Sequence, residues 1–322
     1  MIEELRKFIL FDYAAKKKKI DENFYNGIAN IYSKYYGLGQ YFNGMEYKSV
    51  EIGNAPAAYN NETNRIRIDM PNMIGLLKKA CTQIPRSFNK TENEVFTYFF
   101  VVRLMLHELT HATQMMDRRA EIIEMVPEGK RRILTQVEPG ATENYIYSCF
   151  ANGTQKGNSR LNSWYKYVNK KFGYNLILER DAEIQAHSIM YSMLKGYENQ
   201  FPHLKDYMEA NVYIATVMGY DVSENGEIES PLYKYAKALR VNNMIPSGNV
   251  PWYNENMELS LKNACTQIPK TTERFRMGFP VTKDEFIRMK AKLAEFNQKG
   301  YLIQVYGTQE DFRKLEEKAR MD

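Results

Sequence analysis

His107-Glu108-Leu109-Thr110-His111 sets two metal-ligand side chains and a carboxylate at a fixed spacing. An α-helix advances 100° per residue, so histidines four apart lie one above the other on a single face. Two imidazoles so placed can share one Zn²⁺, and Glu108 beside them can take a proton from an attacking water. The motif uses two of the four histidines in a chain of 322 residues. Apolar residues flank it on both sides, which argues against two polar residues on a solvated helix face.

Two histidines do not complete such a site, because catalytic Zn²⁺ takes three protein ligands and keeps one position open. The remaining donors are His187, His203, many carboxylates and three scattered cysteines. The most informative segment is Leu178-Glu179-Arg180-Asp181-Ala182-Glu183-Ile184-Gln185-Ala186-His187. On a helix Glu179 and Glu183 share a face, while Ala182 and Ala186 leave room for a close neighbouring helix. One carboxylate can bind the metal and the other can hydrogen-bond the second nitrogen of a liganding imidazole; the residues alone leave the order open. His187 reads as a helix histidine satisfied within the fold. Tyr174 and His203 flank this helix, and neither is singled out as a donor to a developing oxyanion.

H-E-x-x-H followed on a later helix by E-x-x-A-[D/E] resembles the gluzincin metallopeptidases. The resemblance covers residues 45–195. It implies a zincin-like fold and a zinc-dependent peptidase acting on a peptide or protein substrate. Carried onto this chain, it makes His107, His111 and Glu179 the zinc ligands and Glu108 the general base. Glu183 becomes the residue that hydrogen-bonds a liganding histidine, standing where Asp is commoner.

Several elements must position these residues. Helices are expected over Ile2–Ala15 and over Asp21–Tyr36, the second closed by Gly37. Alternating patterns predict strands at Met45–Ile52, Ala57–Tyr59 and Arg65–Asp69, the last a sheet edge able to hold an extended peptide by strand addition. A helix is expected over Met73–Thr82. Thr91-Glu92-Asn93-Glu94 reads as a capping box opening the long apolar helix that carries the histidines. Further helices are expected at Tyr165–Phe172, Leu176–Leu194, Leu204–Met218, Leu232–Val241, Met257–Thr266, Lys283–Gln298 and Gln309–Met321, with a strand at Tyr301–Tyr306. The fold class is therefore α+β, predominantly helical. A zincin-like domain with a small β-sheet spans residues 1–200, and a mainly helical C-terminal lobe spans 201–322.

Composition bounds the partners. A net charge of +5 with 26% charged residues is modest, and Lys16-Lys17-Lys18-Lys19 lacks the interleaved aromatics of a nucleic-acid groove, so neither nucleic acid nor membrane is an expected partner. No secretory signal or membrane-spanning run is visible, which points to the cytoplasm. Cys81, Cys149 and Cys265 form no C-x-x-C pair and read as buried thiols in a reducing compartment.

Leu77-Lys78-Lys79-Ala80-Cys81-Thr82-Gln83-Ile84-Pro85 is nearly repeated as Leu261-Lys262-Asn263-Ala264-Cys265-Thr266-Gln267-Ile268-Pro269. The second copy lacks H-E-x-x-H downstream, so we read a degenerate, metal-free duplication. The alternative function class is a structural or assembly protein, virion-associated if phage-encoded, that keeps zinc for stability or for self-cleavage.

Overall fold

A computed structural model of the chain describes residues 1–50, 55–60, 63–82, 84–125, 177–219, 221–222, 228–229, 283–299 and 301. The described chain is predominantly helical with a small three-stranded sheet, an α+β arrangement. Helix α1 (Ile2–Arg6) runs on as a π-helical stretch over Lys7–Ala14. Asp21 opens α2 (Glu22–Tyr36) by accepting the amides of Asn23 and Phe24, and Gly37 ends it at φ 64°, a left-handed geometry that glycine tolerates best. Where α2 meets the π-helical stretch, a Cβ on Gly27 would lie 2.1 Å from the ring of Phe8, so any larger residue there would have to displace that ring.

The sheet contains β1 (Met45–Lys48), β2 (Ala57–Asn60) and β3 (Arg65–Asp69) in the order β1-β3-β2. Strand β3 pairs parallel with β1 and antiparallel with β2. The segment Arg65–Asp69 is therefore the centre of the sheet and not its edge. Its two patterned isoleucines, Ile66 and Ile68, are fully buried, as suits a strand flanked on both sides. The edge nearest the histidine helix is β2. Asp69 donates its amide to Pro56 O, and antiparallel alternation then turns the backbone groups of Ala57 and Tyr59 away from β3.

Helix α3 (Met70–Thr82) leads to the long α4 (Lys90–Met125). Its capping box lies two residues earlier than the sequence suggests: Asn89 Oδ1 accepts the Glu92 amide at 2.9 Å, and Glu92 Oε2 accepts the Asn89 amide at 2.8 Å. The other oxygen of Glu92 explains the shift. It accepts the amides of His203 and Leu204 at 2.7 and 2.8 Å, so one buried carboxylate closes the starts of α4 and of α6 (Pro202–Gly219). Helix α5 (Ile177–Leu194) precedes α6 and packs along α4. Glu183 meets the middle of α4, while the residues just past the end of α5 meet its start, so α4 and α5 run antiparallel. Arg6 of α1 holds the end of α5, its guanidinium donating to the carbonyls of Met193, Ser192 and Lys195.

A two-residue pair, β4 (Asp221–Val222) and β5 (Ile228–Glu229), follows α6, and α7 (Lys283–Gln298) packs on α6. One continuous core joins residues from α1 through Leu293, Phe296 and Tyr301. Among the described residues no helix is long and apolar enough to cross a membrane. Cys81 is exposed and not buried as expected; its Sγ lies 3.5 Å from Thr97 Oγ1 of α4. Cys149, Cys265, Tyr174 and the second copy of the repeated segment lie outside the described residues. So do the helices expected at Tyr165–Phe172, Leu232–Val241, Met257–Thr266 and Gln309–Met321, and all but the first residue of the strand expected at Tyr301–Tyr306. Most of the expected 201–322 lobe falls there too.

The double cap yields a stability expectation. Replacing Glu92 with alanine strips the acceptor from three amide N–H groups at once, at a cost of about 3 kcal/mol or more. Glu92→Gln should lose markedly less, since its carbonyl oxygen still accepts. Urea denaturation of the two variants checks this, and equal losses would count against the shared cap.

Candidate functional site

Three elements surround the middle of α4, and the 100° step between residues hands each a different side chain. Tyr32 of α2 receives the threonines: its hydroxyl lies 3.4 Å from Thr110 Oγ1 and 3.2 Å from Thr113 Oγ1. Strand β2 receives Glu108, whose Oε2 accepts the backbone N–H of Tyr59 at 2.7 Å. Helix α5 receives the histidine face, a row of Arg103, His107 and His111 at four-residue intervals.

The two histidine rings stand nearly perpendicular, with centroids 4.8 Å apart and Nε2 facing Nε2 at 3.2 Å. Acceptors on the far side of each ring set their protons. Gln114 presents Oε1 to His111 Nδ1 at 2.9 Å, so that nitrogen donates and His111 Nε2 carries a lone pair. Glu183 Oε1 lies 3.2 Å from His107 Nδ1, at ion-pair distance but off the line of an ideal hydrogen bond. The carboxylate again favours the proton on Nδ1 and leaves the lone pair on Nε2. Two lone pairs thus point at one another across 3.2 Å. Two nitrogens bound tetrahedrally to one zinc ion, each at 2.0–2.1 Å, would lie about 3.3 Å apart. The donor set and its spacing fit a shared cation.

Glu183 is nearly buried between the helices. Its Oε1 accepts from Arg103 Nη1 at 2.6 Å, and its Oε2 lies 3.4 Å from His187 Nδ1. Burial would raise the carboxyl's pKa, but the Arg103 guanidinium, with help from His107 and His187, holds it well below the usual carboxylate range. His187 donates Nδ1–H to the Glu183 carbonyl at 2.9 Å. Burial lowers its pKa to about 4 against the attraction of Glu183, so at neutral pH the ring is uncharged.

Of the residues singled out in the sequence, His107, His111 and Glu183 come together between α4 and α5, while Glu108 faces β2. Glu183 engages the Nδ1 side of His107, away from the paired Nε2 atoms. Residue 179 lies one turn earlier on the same face of α5. Because the helices are antiparallel, its backbone comes level with the stretch between His107 and His111; its side chain lies outside the described atoms. Among the described residues, no three His, Cys, Asp or Glu side chains converge on one point. His203 belongs elsewhere: its ring meets the Tyr301 hydroxyl at 3.1 Å and its amide is held by Glu92, about 22 Å along α4 from His107. It cannot serve the site.

Sequence reasoning missed three participants. Arg103 stands four residues before His107 and Gln114 three after His111, so helical periodicity could have found both. Tyr59 contributes only a backbone amide, for which no sequence signal exists. Comparison of the chain with protein-family models, with curated proteins and with solved structures gives no match.

The depressed pKa of His187 sets a pH dependence for the metal-free chain. Between pH 6.5 and about 4 the unfolded chain binds a proton that the folded ring refuses. The contribution is therefore complete above 6.5 and lost as pH falls toward 4. Glu183, also depressed, adds a loss of the same sign below its ordinary value of 4.5. Denaturation of chelator-treated protein should show stability falling by on the order of 1–2 kcal/mol from pH 6.5 to 5 through His187. His187→Gln should flatten that slope; an unchanged slope would remove His187 as its source.

Proposed function

We propose that the chain is a zinc-dependent peptidase with a zincin-like catalytic domain. The observation that carries the reading is the pair of Nε2 atoms, 3.2 Å apart with an acceptor behind each ring. His107 and His111 would hold the ion with Glu179 as third ligand, the assignment that the gluzincin-like pattern and the level of residue 179 both favour. When bound, Zn²⁺ supplies a Lewis acid that acidifies water and polarises a carbonyl.

The chain's own residues do the rest. Glu108 accepts the proton of the attacking water and returns it to the departing amine. Its Oε2 is held by the Tyr59 amide, which fixes the carboxylate against β2 and leaves Oε1 for the proton. Glu183 keeps the His107 proton on Nδ1. An extended peptide would add to the outer edge of β2 through the outward groups of Ala57 and the carbonyl of Tyr59, the Tyr59 N–H staying with Glu108.

Glu108→Gln should retain zinc by metal analysis and lose about 10²–10⁴-fold in kcat on an unfolded protein or a peptide library. His111→Ala should lose the metal itself. Full activity in zinc-loaded Glu108→Gln would falsify the mechanism. Mass spectrometry of the wild type with and without chelator separates turnover of added protein from cleavage confined to its own chain, the outcome that would favour a self-processing assembly protein.

A further inference from the structure

We infer that Arg103 is a positioning residue of this site: its guanidinium holds Glu183 against His107 Nδ1 and so keeps the His107 Nε2 lone pair turned toward His111. The inference rests on the metal-site reading above and concerns a residue outside the H-E-x-x-H and E-x-x-A-E patterns. Arg103 and His107 occupy successive turns of one face of α4, and a single oxygen, Glu183 Oε1, meets both, at 2.6 Å from Arg103 Nη1 and 3.2 Å from His107 Nδ1. The arginine contact is the shorter and is charge-assisted. A glutamate carries several rotatable bonds, and nothing in its own stem selects the orientation that presents Oε1 to the imidazole. His187 stands at the other oxygen, its Nδ1 3.4 Å from Oε2 with its proton given to the Glu183 carbonyl, so the contact to Oε1 falls to Arg103. Arg103 is itself oriented: its guanidinium lies 5.4 Å from the centre of the Phe100 ring, within the range of a cation–π contact.

The consequence for the histidine is specific. Released from an oriented carboxylate, a neutral imidazole can carry its proton on either nitrogen. Each molecule protonated on Nε2 lacks the lone pair that an ion would bind. Arg103 therefore acts through Glu183 on the tautomer of His107.

The test is a zinc titration against a competing chelator on wild type, Arg103→Met, Glu183→Gln and the double variant, with histidine ring ¹⁵N shifts recorded on the metal-free proteins. Arg103→Met should weaken zinc binding about 10–100-fold, and Arg103→Lys, which keeps the charge without the fork, should recover part of that. The double variant should bind no more weakly than Glu183→Gln alone, because the two residues act in series. The ¹⁵N spectra should show His107 moving from Nδ1–H toward a mixture of tautomers. Where Arg103→Met does not fold, Arg103→Gln is read in its place with the same expected sign. Unchanged zinc affinity and tautomer in a folded Arg103 variant, or losses that simply add, overturn the proposal. Failure of the wild type to bind zinc overturns the metal reading instead, and the tautomer shifts still decide the role of Arg103.

Discussion

A carboxylate taken out of water costs several kcal/mol unless its charge is met, and the packing of α4 against α5 is arranged around meeting the charge of Glu183. Arg103 and His107 come from one helix, and His187 and the glutamate itself from the other. The contact has a register. Sliding α5 by one turn, about 5.4 Å, would take Oε1 off the one point where it meets Arg103 and His107 together. Arg6 at the end of α5 and Glu92 at the start of α6 pin that register from outside. The charge pairing and the chain's own anchors thus specify the same helix alignment, and the histidine face follows from it.

That alignment matters because α4 is otherwise a core helix. Phe99, Val102, Met105, Leu106, Leu109 and Ala112 are fully buried, and packing alone would accept several rotations of so evenly apolar a cylinder. The polar contacts select one. Thr110 and Thr113 bond back to carbonyls of their own helix and reach Tyr32, while Glu108 reaches β2 and Arg103 with His107 reach α5. Three contacts spread around the axis leave no freedom of rotation. The same rotation that satisfies them turns both Nε2 atoms toward one point.

How much of this the sequence displayed depends on the kind of signal each feature leaves. The histidine motif was legible because helical spacing converts identity directly into geometry. The common face of Glu179 and Glu183 was legible for the same reason. The start of α4 was misread by two residues because Asn89-x-x-Glu92 and Thr91-x-x-Glu94 both suit a cap, and only α6, over a hundred residues on, decides for Glu92. Arg65–Asp69 looked like an edge because alternation reports burial of one face and says nothing of how many neighbours a strand has. Arg103 shares the histidine face by spacing, but spacing alone does not say what it meets. Its partner lies on α5, eighty positions away, and single-sequence periodicity carries no information across that distance.

The metal-free geometry also bears on what an ion would contribute to the fold. With both protons on Nδ1, the two Nε2 lone pairs would repel across 3.2 Å, a cost that the surrounding contacts would absorb. A cation between them converts that repulsion into two bonds, at a separation already close to what tetrahedral binding requires. Little rearrangement is then needed, and binding free energy appears largely as added stability of the folded chain. The gain would fall unevenly along α5. Both of its described anchors, Arg6 and the Glu92-capped turn, lie at or beyond its C-terminal end, and Glu183 holds its middle. A ligand at residue 179 would add a tie one turn nearer its start, fastening that part of α5 to α4 through the ion itself.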